Sequence, residues 1–179
     1  MEARVLAEQL LGSVGTRLSH TRSVGAQAAS VCSVVDGEWR EALVDAAWLH
    51  DVGYAPSLVV LGFHPLDGAR WLRDQGWPPE VCRLVAGHTR SLTEARLRGL
   101  GDELLGDFPS APERAAAALA WADLTSSPKG ERCSPDDRIN DILARYPEGP
   151  VHEATLANRA ALDGDVELIE RLRCANGAR

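Results

Sequence analysis

The amino-acid sequence predicts an all-α fold, a single helical domain with about nine or ten helices. Nearly every segment repeats its apolar residues every three or four positions, the period of an amphipathic helix, and no segment sustains a period of two. Prolines stand at the start of several of these segments, where a proline suits the first helical turn. A chain of 179 residues is long enough to bury a substantial core in one domain.

Apolar stripes, with glycine and proline at their ends, place the individual helices. In chain order the predicted helices are residues 2–14, 18–35, 38–50, 65–75, 79–87, 93–105, 112–125, 135–146, 152–162 and 165–174. The apolar run SLVVLGF, residues 57–63, is too short to imply a sheet, and we interpret it as a packed loop. We expect one domain over residues 1–179, with a core at about 15–130 and a C-terminal helical extension, arranged as a hairpin, at about 150–179.

Two predicted helices in the amino-terminal half each carry a histidine on the apolar stripe. The stripe of the second helix consists of Val24, Ala28, Val31 and Val35. His20 precedes this stripe by one step of four residues, so it faces inward. The stripe of the third helix consists of Trp39, Leu43, Ala46 and Ala47. His50 continues that stripe in the last turn, and Asp51 follows it before Gly53 and Pro56 end the helix.

Three further polar residues lie on inward faces in the same way. His64 opens the helix HPLDGARWL and shares a side with its apolar residues. The stripe that leads to His88 consists of Val81, Leu84 and Val85. The stripe that leads to Asp123 consists of Ala116, Leu119 and Ala120.

Six polar groups in the core need a common explanation. Burying one polar side chain without a partner costs on the order of 1–3 kcal/mol, and an isolated buried carboxylate costs far more. Four neutral imidazoles and two carboxylates could all be satisfied by one polynuclear metal centre. Any one of these histidines taken singly is more often a core residue bonded to a backbone carbonyl. Six together make a metal centre the better hypothesis.

His20, the His50–Asp51 pair and Asp123 resemble, in order and in helical context, the H...HD...D signature of the HD-domain superfamily. Members of this superfamily are metal-dependent phosphohydrolases with an all-helical fold. His64 in FHPLDGA and His88 in AGHTRS are similar to the two further histidines of the branch that binds two metals. The resemblance covers roughly residues 15–130. Within that branch, the sequence more closely resembles small single-domain bacterial members, including enzymes that split diadenosine tetraphosphate.

The resemblance implies a binuclear site of two divalent cations. One metal would be bound by His20, His50, Asp51 and Asp123, and the other by His64 and His88, with Asp51 bridging the two. Asp51 and Asp123 would then be the catalytic carboxylates. Two such cations can activate a water to a hydroxide and neutralise an attacked phosphoryl group. We expect iron or manganese, with zinc, cobalt and nickel as alternatives.

The sequence therefore predicts a hydrolase acting on a small phosphorylated metabolite, a nucleotide or a dinucleotide. Two alternatives stay open at this stage. One is a diiron oxygenase of the same superfamily, because those oxygenases resemble this chain at all six ligand positions. The other is a non-catalytic regulatory module that keeps the metal for structural reasons. Fold likeness alone does not choose between them.

Four residues are candidates for binding the substrate. Arg90 is the first choice because it follows His88 by two residues, where the helix has ended. Arg22 and Lys129 are further candidates, the latter in the polar segment 126–135, which is either a lid over the site or a plain loop. Many members of the superfamily have a lysine where this chain has Tyr54, and Tyr54 either contacts substrate or packs.

Charge and composition limit the partners. The net charge of −7 should repel nucleic acid polymers and anionic lipid. No segment approaches the length of a membrane span, and no secretory signal is evident. The four cysteines lack the spacing of a zinc site and are typical of reduced thiols. We expect a cytoplasmic protein with a small-molecule substrate, and a homodimer contact is the alternative to internal packing for the C-terminal stretch.

Overall fold

The computed structural model describes residues 2–177, and in this range the chain forms ten α-helices and no β-strand. The helices are α1 (Ala3–Leu11), α2 (Arg17–Val31), α3 (Arg40–Leu49), α4 (His64–Asp74), α5 (Pro79–Gly87), α6 (Leu92–Leu97), α7 (Gly101–Asp107), α8 (Glu113–Leu124), α9 (Pro135–Arg145) and α10 (Pro150–Gly177). The all-α prediction is confirmed. Throughout the described part of the chain, every helix is too short or too polar to span a membrane.

Helices α3 and α8 form the centre of the bundle. Helix α3 packs against α1, α2, α5 and α8, while α8 is also covered by α2, α5, α9 and α10. The alanines of α8 are buried on nearly every side, and such small side chains let neighbouring helices approach closely. The carboxyl ends of these two central helices, at His50 and Asp123, consequently lie inside the protein.

A close glycine contact fixes the turn after α3 against α4. A β-carbon on Gly53 would lie 2.1 Å from the carbonyl oxygen of His64. A β-carbon on Gly68 would lie 3.0 Å from the backbone nitrogen of Gly53. Because both obstacles are backbone atoms, only glycine allows this approach. The contact sets the His50–Asp51 pair beside the first residue of α4.

The apolar run at residues 57–63 is a loop, as predicted, but only its ends are packed. Leu58 and Phe63 are buried, whereas Val60 at the tip is 83% exposed. The carboxylate of Asp67 accepts hydrogen bonds from the backbone N–H groups of residues 60–62. These hydrogen bonds to Asp67, in the first turns of α4, hold the loop against the helix. The tip of the loop remains exposed to solvent.

Two helix predictions are wrong. Residues 93–105, predicted as one helix, form α6 and α7, because Gly99 takes a left-handed φ of 75° just after α6. Residues 152–162 and 165–174, predicted as two helices in a hairpin, form the continuous α10. Gly164 is an exposed interior residue of that helix, and the buried stripe of Ala154, Leu162 and Ile169 continues past it.

Candidate metal centre

The six predicted ligands lie at helix ends that meet at one point inside the bundle. His20 is in the first turn of α2, His50 and Asp51 follow α3, His64 opens α4, His88 follows α5, and Asp123 is in the last turn of α8. His64 is half-buried, and the other five are buried. All six side chains therefore face the interior.

The ligand atoms of these side chains form two compact groups. One group contains His20, His50 and Asp123, and the other contains Asp51, His64 and His88. Within each group, one ligand atom from each residue lies within 4.8 Å of the others. The ring centroids of His50 and His88, one from each group, are 5.2 Å apart. The two groups are therefore adjacent.

Backbone carbonyls orient the histidine rings. His50 Nδ1 donates to the carbonyl oxygen of Ala47 at 2.8 Å, and His88 Nδ1 donates to that of Val85 at 2.6 Å. A neutral imidazole that donates from Nδ1 has a lone pair on Nε2. The buried Nε2 of His50 has no hydrogen-bond partner among residues 2–177. A metal ion is the partner that would satisfy this nitrogen, so the residues fit the predicted cofactor.

Lone-pair atoms are crowded together around this point. The Nε2 atoms of His64 and His88 are 3.2 Å apart, and His20 Nε2 is 3.0 Å from Oδ1 of Asp123. Such crowding is favourable only around a shared cation or proton, and Arg138 Nη2 already lies 3.3 Å from His20 Nε2 and 3.1 Å from Asp123 Oδ1. Imidazole nitrogens with carboxylate oxygens make a donor set that suits transition metals such as iron and manganese.

Burial keeps two of the four candidate histidine ligands, His50 and His64, neutral. It lowers the pKa of His50 to about 4. Burial, and then the charge of nearby His88, hold the pKa of His64 well below its ordinary value. Near neutral pH both imidazoles therefore present a nitrogen lone pair without first losing a proton.

Two arginines keep the carboxylate ligands ionised. Burial alone would raise the pKa of Asp51, but the electrostatic influence of His50 and Arg17 outweighs it and lowers that pKa strongly. Arg138 likewise overcomes burial and holds the pKa of Asp123 well below its ordinary value. Arg17 Nη1 lies 2.9 Å from Asp51 Oδ2, and Arg138 Nη2 lies 3.1 Å from Asp123 Oδ1.

A partly open cavity of about 110 Å³ adjoins the ligand groups. Four of the ligands contribute to its lining, namely Asp51, His64, His88 and Asp123. The opposite wall is mostly apolar and is built by α9, α10 and the segment between them, with Ile139, Ile142, Tyr146, Val151, Ala154 and Leu162. A small molecule in this cavity would touch both the ligand groups and the C-terminal helices.

Tyr54 packs against its neighbours and also lines this cavity. Its ring stacks on the imidazole of His64, with centroids 4.0 Å apart. The guanidinium of Arg17 lies over the Tyr54 ring, 3.8 Å from its centroid. Burial raises the pKa of Tyr54, so its hydroxyl stays protonated. The ring thus positions Arg17 beside the ligand groups.

Three arginines that line the cavity were not among the site residues predicted from the sequence: Arg17, Arg138 and Arg145. Arg17 precedes His20 by three residues, so the two share a face of α2. Arg138 is only 5% exposed and adjoins buried Ile139 on α9. An arginine on the inward stripe of a helix was the signal that could have identified both residues.

The other predicted substrate-binding residues are bonded to carboxylates or lie outside the cavity lining. Arg90 is part of the lining, but both arms of its guanidinium are bonded to Asp165. Arg22 is outside the lining and donates to Glu8 on the surface. Lys129 is exposed in the loop after α8, which is also outside the lining. That loop packs on α2 and is not a lid over the cavity.

Comparison with known proteins agrees with this geometry. The family model described as HD domain matches residues 17–141, more than half of the chain, and this range contains all six ligands. Searches of curated proteins and of solved structures return no match. The resemblance inferred from the sequence is confirmed at the level of the family. On the strength of the family match and the buried His/Asp groups, the chain belongs to the HD-domain family.

Proposed function

We propose that this protein is a metal-dependent phosphohydrolase acting on a small phosphorylated metabolite, with nucleotides and dinucleotides as the first substrates to test. One observation carries the proposal: two buried groups of metal-ligating side chains adjoin a single cavity that also contains arginines. Membership of the HD-domain family supports metal-dependent hydrolase-type activity. The substrate class rests on the charges of the cavity.

In this proposal the two ligand groups hold two divalent cations, iron or manganese, with zinc, cobalt or nickel as alternatives. Asp51 is assigned as the bridging ligand. Its Oδ2 lies 3.6 Å from His50 Nε2, and its Oδ1 lies 3.5 Å from His64 Nε2. One oxygen of Asp51 therefore faces each group, which supports the bridging role.

When bound, such a pair of cations supplies an activated water nucleophile and neutralises phosphoryl oxygens. The chain contributes fixed geometry and charge. Carbonyl groups aim the Nε2 atoms of His50 and His88. Asp51 and Asp123, the catalytic carboxylates of this proposal, stay ionised. Thr89 Oγ1 donates to Asp123 Oδ2 at 2.7 Å, which fixes the orientation of that carboxylate.

The charges of the lining support an anionic substrate. The charged lining residues are four arginines and three carboxylates, Arg17, Arg90, Arg138 and Arg145 with Asp51, Glu94 and Asp123. The lining alone is thus close to neutral, and each divalent cation would add two positive charges. A loaded cavity would attract a phosphate dianion far more strongly than a neutral metabolite.

We assign the phosphoryl contacts to Arg17 and Arg138. The Nε of Arg138 is buried and, within residues 2–177, has no hydrogen-bond partner. A phosphoryl oxygen would supply the missing acceptor, and a guanidinium suits phosphate because its N–H groups form a planar fork. Arg17 is held over Tyr54 beside the other ligand group. The substrate would therefore be bound from two sides.

The test loads metal-free protein with manganese or iron and measures phosphate release from a panel of nucleotides and dinucleotides, with oxygen consumption recorded in parallel. Phosphate release without oxygen consumption is expected. A diiron oxygenase is the alternative, since the same nitrogen and oxygen donors suit iron. Oxygen consumption without phosphate release would contradict the proposal. Retained metal with neither activity would favour a regulatory metal-binding module.

A further inference from the structure

The turn after α5 has an unusual backbone. Thr89 and Arg90 have φ values of 48° and 58°, and among residues 2–177 they are the only non-glycine residues with positive φ. Two consecutive left-handed residues that carry β-carbons are unfavourable on their own. Such a conformation persists only where surrounding contacts impose it.

This turn carries part of the metal centre. His88, a ligand of the second group, immediately precedes it. Thr89, within it, donates its hydroxyl proton to Asp123 of the first group. A relaxed turn would move the His88 ring and remove the hydrogen bond to Asp123. The geometry of both ligand groups therefore depends on this backbone conformation.

Helix α10 supplies the contacts that hold the turn. Asp165 is buried and accepts two hydrogen bonds from Arg90, at 2.8 Å from Nε and 2.6 Å from Nη2. Asn158 Nδ2 donates to the carbonyl oxygen of Arg90 at 3.0 Å, and Thr93 Oγ1 donates to Asn158 Oδ1 at 2.7 Å. The side chain and the backbone of Arg90 are thus both fixed from one helix. That helix lies beyond the family match, which ends at residue 141.

We propose that Asp165 and Asn158 are positioning residues of the metal centre, acting through the left-handed turn at Thr89 and Arg90. The inference rests on the proposed metal site. It adds that helix α10 is required for the geometry of that site. The assignment also explains why Arg90, next to the site, is bonded to a carboxylate instead of being free to bind a substrate.

The test is calorimetric titration of Mn²⁺ into metal-free protein. Asp165→Asn should weaken Mn²⁺ binding about tenfold or more, the usual effect of losing a residue that orients a ligand. Asp163→Asn is the matched control, because it removes a half-buried ion pair with Arg159 on the same helix, and that pair has no hydrogen bond to Arg90. The control should bind Mn²⁺ like the wild type, and melting temperatures recorded in parallel show that each variant is folded.

A rescue variant separates positioning from a general loss of stability. Glycine adopts positive φ without steric penalty, so Arg90→Gly combined with Asp165→Asn should recover most of the lost Mn²⁺ affinity without restoring the ion pair. Equal affinities for Asp165→Asn and Asp163→Asn would overturn the proposal, as would a double variant no better than Asp165→Asn.

If Asp165→Asn does not fold, Asn158→Ala provides the decisive measurement. It should weaken Mn²⁺ binding severalfold, and unchanged affinity would overturn the positioning role. A wild-type protein that binds no Mn²⁺, iron or zinc would instead refute the proposed metal centre itself. The two failures are therefore distinguishable.

Discussion

The ligand side and the wall side of the cavity are built on different principles. The six candidate ligands stand at the ends of buried helices from α2 to α8, all within the HD-domain match. The opposite wall comes largely from α9 and α10, and the whole of α10 lies beyond that match. The ligand side is polar and enclosed, whereas the wall is mostly apolar with arginines at intervals. In the proposed function, the ligand side sets the chemistry and the wall selects the substrate.

The largest effect should come from the ligand side, at Asp51. Because this carboxylate is proposed to face both cations, Asp51→Ala should lose both metals and all activity, while His88→Ala should mainly weaken the second metal site. Elemental analysis of each protein, purified without added metal, would measure the number of metal ions per chain. The wild type should carry near two metal ions per chain, one for each ligand group. Equal metal content in the wild type and Asp51→Ala would contradict the bridging role.

The next prediction compares Gly53, on the ligand side, with Gly164, on the wall side. Gly53→Ala forces a β-carbon against the His64 carbonyl and should destabilise the fold by about 3 kcal/mol, the upper range for overpacking. Gly164→Ala, in open space on α10, should stabilise it by about 0.5–1 kcal/mol. Urea unfolding of both variants measures the difference. Similar destabilisation by the two would show that the Gly53 contact is not a special constraint.

A substitution in the wall should reduce catalytic efficiency toward the substrate without reducing the metal content. Arg138→Gln removes a proposed phosphoryl contact, so kcat/KM for the best phosphorylated substrate should fall about a hundredfold. With Mn²⁺ added in excess, metal content should remain close to that of the wild type, because a bound cation would replace Arg138 in keeping Asp123 ionised. Arg22→Gln, on the exposed surface of α2, is the control and should leave kcat/KM unchanged. Loss of metal in Arg138→Gln would place this residue with the ligand side instead.

The last effect is a pH dependence of the metal-free protein. The pKa of His50 is about 4 in the folded protein and about 6.5 when unfolded, so between these values the unfolded chain binds more protons. The free energy of unfolding should therefore fall as the pH drops from 6.5 to 4, by up to roughly 1.4 kcal/mol per pH unit for this group. Denaturant unfolding at several pH values measures the slope, which His50→Gln should reduce. Constant stability over this range would contradict the assigned burial effect.

The ligand side could be predicted because each ligand lies at the end of an apolar stripe. Helical periodicity fixes which side chains face inward, and inward polar groups such as His50 and Asp123 are conspicuous in a sequence. The helix ends themselves followed from local signals such as Gly53 and the proline at the start of α5. The fold class and the six candidate ligands were therefore accessible without coordinates.

The wall could not be predicted, because its contacts join distant parts of the chain. Arg17 and Arg138 lie on the inward sides of their helices, but the sequence does not show that α2 and α9 bring them to the same cavity. The partner of Arg90 is Asp165, 75 residues away, and no local pattern announces that pair. Gly164 lies between the two helices predicted at residues 152–162 and 165–174, yet an exposed glycine inside a long helix costs only about 1 kcal/mol, so α10 continues through it.

Anomalous diffraction from crystals of the manganese-loaded protein tests the central claim most directly. The account predicts two anomalous peaks. One should lie among His20 Nε2, His50 Nε2 and Asp123, and the other among Asp51, His64 and His88. Peaks located elsewhere, or the absence of a peak at either position, would contradict this prediction.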